Sequence, residues 1–120
     1  MIIMDSYSLK INEHITLNKG VTPDEGEIIF QILSEQFSQG KKVILDFTGV
    51  EMMTTAFLNV AIGNLYKTYN SDQLKEMMEF NGLTESIAMK IKQVTDAAKL
   101  FYLDEEKFSN IIDKVLNEND

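Results

Sequence analysis

The run KKVILDF, residues 41–47, constrains the fold more than any other stretch. Val43, Ile44 and Leu45 follow one another with no polar residue between them, lysines precede them, and Asp46 and a turn follow. Continuous apolar sequence of this length predicts a strand buried on both faces, as in a sheet covered by helices. The sequence upstream agrees. In GVTPDEGEIIFQILSEQFSQGKK, Thr22 suits an N-cap, Pro23 the first helical position and Glu25 the third, which is the pattern of a capping box. Ile28, Ile29, Ile32, Leu33 and Phe37 recur at helical spacing and Gly40 can end the run, so the sequence predicts a helix over 23–39.

Downstream, TGVEMM reads as a connection. From Thr55 onward, Phe57, Leu58, Ala61, Ile62, Leu65 and Tyr69 form a second helical stripe, and Asn70, Ser71 and Asp72 break it. LKEMMEFNGL reads as a strand near 76–80, closed by Asn81 and Gly82. Thr84 then caps a helix with Ile87, Ile91, Val94 and Ala98 on one face. Asp104 opens a last helix with Phe108, Ile111, Ile112 and Val115 inward. Residues 2–4 and 7–17 carry β-branched residues in partial alternation and read as strands of a hairpin or meander. Alternation of strands and helices predicts parallel pairing through right-handed crossovers. The expected architecture is a small α/β domain spanning residues 1–120, with a sheet of about four strands.

Charge and composition remove several function classes. The formal net charge is -8 and all 11 basic residues are lysines. Without arginine the chain supplies neither an arginine finger nor a bidentate guanidinium clamp. An acidic surface opposes nucleic acid, despite the local pair Lys41 and Lys42. There is no cysteine and a single histidine, His14, so neither a zinc site nor any other metal or cofactor is expected. His14 reads as an ordinary strand residue. No phosphate-binding or nucleophile motif stands at a strand–helix turn, and no catalytic residue is assigned. The acidic runs PDEGE and DEEK suit helix starts. No apolar run approaches the roughly 20 residues of a membrane span. Asp5 interrupts the N-terminal stretch and no basic segment precedes it, so no signal peptide is expected and the expected location is the cytoplasm.

The stretch VILDFTGVEMMTTAFLNVAIGNLY, residues 43–66, then poses the functional question. Thr54 and Thr55 stand where a strand–turn junction enters a helix. Thr54 as cap would contribute about 1 kcal/mol, with Thr55 merely in the first turn. Phosphorylated, a threonine here would place roughly -1.5 to -2 charges at the favourable end of the helix dipole. Asp46 either holds the turn's backbone or takes part in a site. One member of the pair Met52 and Met53 fills the core, and the other is a candidate for a partner contact.

Asp46, Phe47, Gly49, Val50, Thr54, Thr55 and Phe57 together resemble the STAS-like family of unknown function known as DUF4325. The resemblance covers about residues 20–100. More distantly the chain is similar to STAS domains proper, the bacterial anti-sigma-factor antagonists. Their equivalent junction carries an Asp-Ser pair whose serine is phosphorylated by a histidine-kinase-like ATPase. Aligned on Asp46 and the turn, Thr54 stands at the aspartate and Thr55 at the serine. The resemblance implies a non-enzymatic regulatory module that binds a protein partner, a histidine-kinase-like ATPase or anti-sigma factor. The expected contact surface centres on residues 50–59, with Thr55 as switch, Thr54 as cap or second site, and Met52, Met53 and Asn59 as contacts. The alternative is a small anionic ligand, nucleotide or phosphate, bound at the same helix start.

Overall fold

The computed structural model describes residues 5–118. Strand β1 (Ser6–Lys10) leads into a 3-10 helix (Ile11–His14) and the short β2 (Lys19–Gly20). Helix α1 (Pro23–Ser38), β3 (Lys42–Asp46), β4 (Met52–Met53) and α2 (Thr55–Ala61) follow. A second 3-10 helix (Gly63–Lys67), α3 (Ser71–Met77), β5 (Met78–Asn81) and α4 (Glu85–Glu118) complete the chain. All named strand pairs are parallel, in a three-stranded sheet of order β1-β3-β5 and a two-stranded ribbon of β2 with β4. The expected α/β class holds, with the strands divided between these two sheets.

The chain advances from β1 to β3 to β5 in one direction. Crossovers of a single hand then all lie on one face of the sheet. Leu9, Val43, Leu45 and Met78 point into that helical layer and are buried. They meet Ile29, Leu33 and Phe37 of α1 and the apolar face of α2, and Tyr69 packs edge-on against Phe37 at 5.5 Å. The opposite face carries Ser6, Ser8, Lys10, Lys42, Asp46 and Glu79 and is not fully buried. The expectation that β3 is covered on both faces is therefore corrected: Lys42, Ile44 and Asp46 on the second face are only half-buried, and Ser8 and Glu79 on either side of Ile44 are exposed.

The α1 boundaries follow from its caps. Glu25 N–H donates to Thr22 Oγ1 at 3.3 Å, while the Glu25 carboxylate accepts from the hydroxyls of Thr22 and Thr16. At the other end Gly40 takes φ +74°, and the N–H groups of Gly40 and Lys41 bond back to Phe37 and Gln36 carbonyls. That is a Schellman closure, which needs the left-handed conformation that glycine adopts freely. Of the apolar stripe, Ile29, Leu33 and Phe37 face inward and Ile28 is exposed.

Other boundaries differ from the sequence reading. The N-terminal hairpin is replaced by parallel pairing of β1 with β3, and His14 lies in a 3-10 helix rather than a strand. Leu17 and Asn18 take positive φ and Lys19 N–H bonds to Thr16 carbonyl, so a tight turn interrupts the extended chain. Residues 2–4 lie outside the described residues. The second stripe is buried at Phe57, Leu58, Ala61, Ile62 and Leu65, but the helix breaks at Ile62. Asn70, read as a breaker, starts α3: its side chain bonds Gln73 N–H and Gln73 returns the bond to Asn70 N–H. β5 accordingly begins at Met78. Thr84 caps α4 through Ile87 N–H at 3.2 Å. Asp104 is not a cap, because α4 continues through it, and Val115 is exposed rather than inward. The side chains of Phe108, Ile111 and Ile112 lie outside those described.

Candidate functional site

The junction from β3 to α2 is built at the carboxyl end of the central strand. Asp46 Oδ1 accepts from Thr48 N–H at 3.0 Å and from Thr48 Oγ1 at 2.6 Å. These bonds, Thr48's hydroxyl first, hold the Asp46 carboxyl below its ordinary range, with a smaller contribution from Lys10. Val50 N–H then closes a turn on Phe47 carbonyl at 3.0 Å, and Gly49 supplies the required φ of +82°. A Cβ on Gly82 would stand 2.5 Å from Thr48 Oγ1, so the β5–α4 turn presses directly on this one. Asp46 and Gly49 thus shape the turn that delivers the chain to β4.

β4 is pinned to β2 by Thr54 N–H donating to Gly20 carbonyl at 2.9 Å. Side chains alternate along it. Met52 turns outward, 39% exposed, and Met53 turns inward and is fully buried. Met53 is therefore removed from the expected contact surface and assigned to the core. Thr54 is the N-cap of α2: its Oγ1 accepts from Phe57 N–H at 3.1 Å and donates to Val21 carbonyl at 2.9 Å. Its hydroxyl is engaged on both sides. Thr55 is the first helical residue and is exposed, and among the described residues nothing bonds its hydroxyl. Asn59, one turn later, is exposed on the same side.

The sequence reading passed over Lys90, which touches the junction, and its neighbour Met89. Lys90 of α4 reaches back and donates from Nζ to Met53 carbonyl at 2.8 Å. Beside it Met89 is 65% exposed. Both line an open concavity with Thr84, Glu85, Ser86 and Gln93. In sequence they are one Met-Lys step on an amphipathic helix 35 residues beyond the threonines, and only the packing of α4 brings them near. Among the described residues no group of three or more His, Asp or Glu is placed to hold a metal ion, and no helix is long and apolar enough to cross a membrane.

A family model described as a STAS-like domain of unknown function (DUF4325) matches residues 25–88, from the first turn of α1 to the first turn of α4. The chain belongs to this family. The STAS-like match takes in Asp46, Gly49, Met52, Thr54, Thr55 and Asn59 and stops two residues short of Lys90. No curated protein and no solved structure matches the chain.

Proposed function

We propose that this STAS-like protein is a non-enzymatic regulatory module. Its exposed β4–α2 junction binds a protein partner of the histidine-kinase-like ATPase or anti-sigma type. The observation that carries the reading is the division of labour between the two threonines. Thr54 is locked by two hydrogen bonds and builds the helix start, while Thr55 is exposed one helical turn before Asn59 and nothing among the described residues bonds its hydroxyl. Thr55 is the switch: its Oγ takes the terminal phosphoryl group of a nucleoside triphosphate held by the partner. The new O–P bond forms as the nucleoside diphosphate leaves, and the hydroxyl proton passes to a base on the partner. The added charge then alters a contact surface without altering the fold.

The test is retention of an ATPase partner by tagged protein. Wild type and Thr55→Ala are expected to retain it, and Thr55→Glu to lose at least tenfold in affinity with an unchanged far-UV circular dichroism spectrum. Equal affinity for wild type and Thr55→Glu contradicts the switch.

A further inference from the structure

We propose that Lys90 is the counter-cation of the switch, pairing with phosphate on Thr55 and so coupling the state of α2 to the seating of α4. The proposal rests on the reading of Thr55 given above. Lys90 Nζ crosses 37 residues of sequence to bond Met53 carbonyl, at 2.8 Å and partly buried. An ammonium carries three donors, and this one meets a neutral carbonyl. Among the described residues it forms no ion pair, although the chain holds 19 acidic residues. A phosphate arriving nearby would offer this ammonium a charged partner in place of the neutral carbonyl, and a charge-assisted hydrogen bond is the stronger of the two.

Chain proximity points to Thr55 as the place for that anion. Met53 and Thr55 are two residues apart with Thr54 extended between them, at φ -91° and ψ 156°. Two extended residues advance the chain by only about 6.6 Å. A phosphate projects further from Thr55 Oγ1, and the flexible lysine stem can follow it. Thr54, whose hydroxyl is held by Val21 and Phe57, leaves Thr55 as the group free to present it. When Nζ turns from Met53 carbonyl to the phosphate, the tie between β4 and α4 is exchanged for one between α2 and α4.

The experiment installs phosphothreonine at position 55 during synthesis of the full chain, so that no partner is required. Tm is measured with and without the phosphate in wild type, Lys90→Met, Lys90→Arg and Lys92→Met. The expected result is a phosphate-induced change in Tm about 4 °C or more favourable in wild type than in Lys90→Met. Lys90→Arg should keep the coupling. Lys92→Met, which alters an exposed lysine of the same helix paired with Asp96, should leave it intact. An equal phosphate effect in wild type and Lys90→Met overturns the proposal. So does equal loss of coupling in Lys92→Met, or a phosphorylated wild type that does not fold. A partner that ignores Thr55 while the Lys90 coupling persists would instead sink the regulatory reading alone.

Discussion

Thr54 and Thr55 are identical in chemistry and adjacent in sequence, yet only the bonds around them separate their roles. Thr54→Ala removes the α2 cap and the tie to Val21, and is expected to cost about 1–2 kcal/mol, read as a fall in the urea midpoint at unchanged slope. Thr55→Ala removes no bond among the described residues and should stay within about 0.5 kcal/mol of wild type in the same titration. A comparable loss in both variants would make Thr55 structural too. Asp46 gives a prediction in pH. Its folded carboxyl titrates below the ordinary value of 3.8, so its bonds to Thr48 contribute stability that is fully present above that value. The contribution is lost as pH falls through the lowered folded value. Tm followed from pH 6 to pH 2 should therefore show a wild-type advantage over Asp46→Asn that is constant down to about pH 4 and shrinks below it. A gap that does not change with pH would separate the turn's stability from the carboxylate.

At the scale of elements, the junction depends on how closely α1 and α2 approach. A Cβ on Gly26 would stand 2.7 Å from Phe57 carbonyl oxygen and 3.3 Å from Val60 Cβ. Gly26→Ala should thus push the helices apart and destabilise the fold by about 1–3 kcal/mol, despite the better helix propensity of alanine. A Tm equal to or above wild type would show that the backbone yields without loss. Such contacts explain what could be read from the sequence. α1 was legible because its cap, proline, apolar stripe and closing glycine all lie within one segment. α3 was not, because Asn70 and Gln73 carry the same signal for a break as for a capping box. The single covered face of β3 was hidden for a different reason: it follows from the strand order, which no local pattern records.

For the whole molecule, the STAS-like architecture places its helices on one side of a parallel sheet and gathers the β4–α2 junction and the start of α4 around one exposed region. The sequence marked the junction through the threonines, and it offered one methionine of two for the surface. It gave no sign of Lys90, because a lysine on an amphipathic helix becomes informative only when its partner carbonyl is known. The proposed function requires Thr54 to be the structural cap and Thr55 the modified switch. The most direct measurement is peptide mass spectrometry of the protein after incubation with nucleoside triphosphate and an ATPase captured on it. The expected result is one phosphate, on Thr55, with Thr54 unmodified. Phosphate on Thr54, or none on either threonine while the partner modifies a control substrate, would contradict it.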